Sequence, residues 1–158
     1  MSSKSTATPE NALTKAEIDA RLGSTALARL ATFRADGMIH LTPIWFDWDG
    51  EVFRLTLGAG RVHLENLAAN PRVSILVDED PRLQQGLAAG AWAIECRGTA
   101  VLSKDETLIR EVTHRVLLKA LGAADAEQYT QPLMAEGRTI VTITPKDWHT
   151  WRPFGPTG

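Results

Sequence analysis

Within a strand read over residues 51–57, the chain alternates strictly from Phe53 onward. Phe53, Leu55 and Leu57 are separated by Arg54 and Thr56, the signature of a strand with one buried face. Residues 26–33, 38–48, 72–78, 91–102 and 138–144 also read as strands, making six. Asp36-Gly37 and Asp49-Gly50 supply tight turns between the first three. Gly98 marks a bulge or bend in the fifth. A helical period replaces alternation further on: Leu108, Ile109, Val112, Val116 and Ala120 form one apolar stripe of a helix that ends at Leu121, before Gly122. Ser103 with Glu106 reads as its capping box, as Thr14 with Glu17 does for a short helix over 15–22, stopped by Gly23. Shorter helices are expected over 61–69, ended by Asn70-Pro71, and over 124–135; residues 79–90 read as a loop.

Six strands joined mostly by tight turns, with helices inserted late, predict a mainly β fold: a six-stranded antiparallel split β-barrel with peripheral helices. No Gly-x-Gly-x-x-Gly follows a strand, which removes the usual dinucleotide fingerprint. One domain is expected over 14–152, between a disordered tail at 1–13 and a flexible one at 153–158. With 44% hydrophobic and 23% charged residues, the 158-residue chain has an ordinary globular balance. Its net charge of −2 gives no support for nucleic-acid binding. No apolar run reaches bilayer length, so no membrane partner is expected. The lone Cys96 fits a reducing, cytoplasmic location.

The chemistry concentrates where the third strand ends. Gly58-Ala59-Gly60-Arg61 opens a helix, so free backbone N–H groups and a guanidinium meet at one place that suits an anion. The bland alternative, a solvated arginine at a helix start, sets a cation against the helix dipole, which favours the functional reading. His63 beside it leans the same way. Pro43 deletes a ladder donor inside a strand, marking either exposed backbone or a plain edge position. Phe46, Trp45 and Trp48 read first as core or interface residues. No metal-ligand spacing and no Gly-x-Ser-x-Gly elbow is present, and Arg110, His114, Arg115 and Lys119 read as the polar face of a helix.

Several pieces in order resemble the pyridoxamine 5′-phosphate oxidase-like superfamily of FMN- and F420-binding split barrels. They are Leu30-Ala31-Thr32, Asp36-Gly37, His40 through Phe46, Arg61-Val62-His63, Asn66-Leu67, Asn70-Pro71-Arg72-Val73 and Gly98-Thr99-Ala100. The resemblance implies a homodimer with a cofactor, FMN or alternatively F420, at each subunit interface. It implies that Thr42, Pro43, Ile44 and Trp45 lie along the ring. Thr56 and the Arg61-Val62-His63 segment would hold the phosphate end, with Thr56, Arg61 and His63 facing the phosphate. Many relatives carry lysine where His63 stands. The ending Asp147 to Arg152 departs from the basic motif of the vitamin B6 enzymes, so a related oxidoreductase acting on a small conjugated substrate is expected instead. For the acidic tail of F420, Arg54, Arg61 and Arg72 are candidate groove residues. Two other classes stay open: a non-catalytic flavin carrier, and a haem-binding split barrel with His149 as axial ligand.

Overall fold

The architecture rests on one long strand that serves both edges of a single sheet. A computed structural model describes residues 12–86 and 90–152. In chain order the elements are α1 (Lys15–Ser24), β1 (Leu27–Phe33), β2 (Ile39–Trp45), β3 (Asp47–Trp48), β4 (Phe53–Gly58) and α2 (Val62–Ala69). There follow β5 (Arg72–Glu79), α3 (Arg82–Gln85), β6 (Trp92–Ser103), α4 (Glu106–Leu121), α5 (Ala123–Ala135) and β7 (Arg138–Trp151). The sheet order is β2-β1-β5-β6-β7-β4-β3, with antiparallel pairing throughout. β2 pairs with β1 at one edge, and its continuation β3 pairs with β4 at the other, which curls the sheet into a split barrel.

Seven strands stand where six are expected, because Phe46 divides the second. Its amide bonds the Ala26 carbonyl at 3.2 Å and its ring is fully buried, so the chain turns inward at that residue before pairing resumes. The inner face is apolar, with Leu30, Phe53, Leu55, Ile75, Ile94 and Ile143 fully buried. Trp48, Phe53 and Trp148 pack ring against ring; Trp48 and Trp148 meet edge to face with centroids 5.7 Å apart.

Four further expectations shift. β7 runs on to Trp151, where a strand ending at Thr144 was expected; Pro145 masks the continuation in the sequence. Gly98 lies opposite Pro145 and Arg97 opposite Asp147, so Lys146 is the extra residue of a bulge that absorbs the proline. Asp105 caps α4, its carboxylate accepting from Leu108 N at 2.8 Å, while Ser103 Oγ accepts from Asp105 N one step outside the helix. α1 continues past Gly23 to Ser24, and a single turn, α3, forms within the segment read as loop.

The expected tails at 1–13 and 153–158 lie outside the described residues, except positions 12 and 13. Leu13 is buried, and its amide donates to Thr150 Oγ1 at 2.9 Å. Among the described residues no helix is long and apolar enough to cross a membrane.

A Cβ at Gly98 would collide with the Thr144 carbonyl and crowd Ile143 Cγ2 at 3.1 Å. Because the obstacle is backbone, Gly98→Ala is expected to lower stability by about 1–3 kcal/mol, read as a lower denaturant midpoint. The capping box at α1 also has a measurable pH signature. The Glu17 carboxylate accepts from Thr14 N and from Arg152 Nη1, each at 2.7 Å, and these bonds hold its pKa down to about 2. A carboxyl lowered on folding contributes stability above its ordinary range and loses it as pH falls from 4.5 to about 2. Glu17→Gln is expected to cost about 1 kcal/mol near neutrality, after allowance for partial exposure. In denaturant melts the gap from the native protein should narrow across that acid window.

Candidate functional site

β2 has a partner on one side only, so its second edge faces the gap between it and β4. A cavity of about 420 Å3 opens there. Leu27, Pro43, Ile44 and Trp45 form one wall, and Thr56 and Arg138 the other. Val116, Leu117 and Leu133, from α4 and α5, close the back. The unpaired edge of β2 presents its remaining backbone donors and acceptors to this space. Pro43 sits on that edge strand, where its missing N–H costs no central ladder bond.

The polar end of the site is set by strand register. In the β4–β7 ladder Gly58 lies directly opposite Arg138, and two residues later the chain turns through Gly60 at φ +71° into α2. A Cβ placed on Gly58 would stand 3.9 Å from Arg61 Nε and 4.0 Å from Arg138 Nη1. Two guanidiniums therefore flank one point. Among the described residues neither is in ion-pair contact with a carboxylate, whereas Arg29, Arg54, Arg97, Arg115 and Arg152 all are. Arg138 is half-buried; its Nε donates to the Leu133 carbonyl at 3.2 Å and its Nη1 to the Thr56 carbonyl at 3.5 Å. Burial pushes its pKa below the usual arginine range; Glu136 opposes this and the like charge of Arg61 adds to it. Arg61 is the N-cap of α2 and places no side-chain bond on the helix, so the first N–H groups of α2, at Val62 and His63, keep no side-chain cap.

The eight expected site residues divide. Pro43, Ile44, Trp45 and Thr56 line the cavity, and Arg61 stands at its polar corner. The Thr56 hydroxyl is engaged with Thr113 Oγ1 of α4 at 2.8 Å. Thr42 lies on β2 opposite Leu30 and does not line the cavity. Val62 is half-buried in the first turn of α2. His63 is buried, its ring 5.9 Å from that of His40 and inclined at 21°, and neither ring nitrogen has a hydrogen-bond partner. Burial, then the nearby His40 and Arg61, push its pKa below 6.5, so the ring is neutral at neutral pH.

Arg138 is the residue sequence reasoning missed; only the β4–β7 register brings it to Arg61. The three arginines considered for a basic groove do not converge. Arg54 is paired with Asp49, and Arg72 lies over the Phe33 ring and lines a separate cavity. Lys119, read as part of a solvated face, is folded under α1, its Nζ 3.7 Å from the Phe46 ring centroid and bonded to the Leu22 carbonyl at 2.9 Å. Burial lowers its pKa to about 8, with Asp47 opposing.

The sequence profile of the pyridoxamine 5′-phosphate oxidase family matches residues 14–152. The chain belongs to this family. Solved structures with the same fold include a conserved hypothetical protein from Mycobacterium tuberculosis, at 23% identity and TM-score 0.79 over 96% of each chain. An F420 reductase matches at 25% identity and TM-score 0.61, covering 82% of this chain and 94% of its own. The heme storage protein HutZ from Vibrio cholerae matches at 19% identity and TM-score 0.67, over 89% and 95%. Among curated proteins, none matches the chain. Proteins with this fold thus include an F420 reductase and a heme storage protein.

Two unpaired guanidiniums at one corner should take up a small oxyanion. Inorganic phosphate in large excess is expected to raise the Tm, by about 2–4 °C for each kcal/mol of linked binding. Arg138→Met should lose most of that shift in the same thermal scan.

Proposed function

We propose that the protein is a flavin- or deazaflavin-dependent oxidoreductase that binds FMN, or alternatively F420, in the cavity between β2 and β4. The observation that carries this reading is the convergence of Arg61 and Arg138 beside Gly58, at the end of an otherwise apolar slot. A phosphate there would meet two guanidinium forks and the free N–H groups of α2, and the desolvated Arg138 would regain a counter-charge. Pro43, Ile44 and Trp45 would flank the ring, with the open backbone edge of β2 toward its heteroatoms. Thr42 and Val62 would support these contacts from the adjoining positions. His63 packs behind Arg61.

Within this reading the protein's own groups bind, orient and exclude water. Arg61 and Arg138 fix the anionic end, while Leu27, Val116 and Leu117 keep the ring's surroundings apolar. Hydride chemistry is supplied by the bound cofactor, which is why no nucleophile or acid–base pair needs to line the slot. A small conjugated substrate would stack on the ring face left open to solvent.

The reading includes a homodimer. The outward row of β2 and the strand beside it exposes Leu27, Ile39, Leu41 and Trp45, from 40% for Trp45 to 65% for Leu41. Apolar side chains this open on an edge strand are what a second copy would cover. A haem site is less well supported: His149 lies opposite Glu95 in the β6–β7 ladder and does not line the cavity.

Absorbance and fluorescence titrations with FMN and F420 test the reading. Arg61→Ala and Arg138→Met are each expected to weaken binding by about 1.5–3 kcal/mol. Absence of binding of either compound to the native protein would reject the proposal, and binding without turnover with any reductant and acceptor would make the protein a carrier.

A further inference from the structure

α2 seals the end of the barrel next to the anion corner through His63, Asn66 and Leu67, all buried. Asn66 is satisfied there, its Nδ2 donating to Thr32 Oγ1 at 3.0 Å. His63 is not. The residue is only 7% exposed, and both ring nitrogens are enclosed without a partner. Buried polar atoms are nearly always paired, so this ring occupies its position at a cost. It can do so only while neutral, stacked on His40 of β2. The charged or titratable groups that act on it are His40 from β2 and Arg61 from the N-cap of α2; Thr32 and Asn66 nearby are neutral. No carboxylate among the described residues forms an ion pair with it.

We propose that the His40–His63 stack is a proton-operated latch: acidification undocks α2 from the barrel end and withdraws Arg61 from the anion corner. A proton on His63 would place a cation, without acceptor or counter-charge, in an apolar setting beside a second imidazole and a guanidinium. The least costly relief is for the eight-residue α2 to swing out, since its docking depends on three buried side chains. Because folding holds the ring in its neutral form, docking is at full strength above the ordinary histidine range and is lost as pH falls below it. The sign separates this role from a ligand role. If His63 donated to a phosphate, acid would tighten binding; as a latch, acid loosens it.

The inference rests on the cofactor reading above, and the experiment separates the two. FMN and F420 are titrated, each alone, into the native chain, His63→Gln and His40→Asn at about pH 8 and about pH 5.5, either side of the histidine range. The native affinity is expected to fall by about tenfold more than that of His63→Gln, with His40→Asn, which keeps the buried ring but removes one like-charged neighbour, between the two. Protonation of the FMN phosphate affects all three proteins alike and cancels in the comparison. A ligand-free measurement runs beside it. Amide hydrogen exchange of α2, corrected for the intrinsic pH dependence, should speed up at the lower pH in the native chain and not in His63→Gln; His40→Asn should shift the onset of that speeding, which also serves if His63→Gln does not fold. Native affinity unchanged or tighter in acid, with α2 protection constant, overturns the latch alone. No binding at the higher pH, with α2 still acid-labile, overturns the cofactor reading and supports the latch.

Discussion

A single strand has to pair at both ends of an open sheet, and the rest of the molecule follows from that constraint. The run from Ile39 to Trp48 reaches β1 with its first seven residues and β4 with its last two. It does so by turning in at Phe46, whose buried ring joins the aromatic cluster of the core. Closure is therefore achieved at the bottom of the barrel and withheld higher up, where β2 and β4 diverge. The slot between them is a geometric consequence of one chain segment having two sets of partners. A fully laddered barrel of the same strands would have no such opening and no free backbone edge beside it.

The electrostatics of the slot follow from register. Gly58 faces Arg138 across the β4–β7 ladder, and the turn that follows delivers Arg61 to the same side. Like charges held close are normally separated by a carboxylate or by solvent. Here one is half-buried and tied to two carbonyls, so it cannot swing away without losing both bonds. The arrangement stores an unmet demand for negative charge, set between an apolar wall and the start of a helix. Structural arginines elsewhere in the chain, such as Arg54 with Asp49 and Arg115 with Asp47, carry their counter-ions with them. What sets the corner apart is that two such unpaired guanidiniums stand together there.

Much of this was legible in the amino-acid sequence, because it is encoded locally. Alternation and Asp-Gly turns mark the three expected strands that become β1, β2 with β3, and β4, and the Gly-Ala-Gly-Arg segment marks the candidate anion corner before any strand is paired. What was hidden depends on partners distant in sequence. Pro145 disguises the second half of β7, whose continuation is legible only beside the bulge opposite Gly98. Arg138 looks like any basic residue at the start of a strand until the ladder is drawn. The burial of His63 was also invisible: a histidine two residues past a phosphate-type turn reads as exposed, and only the docking of α2 against Thr32 and His40 turns it inward.

The choice of arginine at position 138 bears on how such a corner is kept ready. A guanidinium has five donor hydrogens in a rigid plane. Two bonds, to Leu133 and Thr56, orient that plane and still leave donors for a ligand. A lysine ammonium has three donors on a flexible stem, and tying it to both carbonyls would leave one. It would also yield its proton more readily when desolvated, removing the charge that the corner needs. An arginine starts from so high a pKa that it keeps its charge near neutrality through the burial that lowers it, so the demand for an anion persists there. Any pH sensitivity of the corner must then come from a neighbour that titrates, and the buried His63 ring in the first turn of α2 is the group placed to supply it.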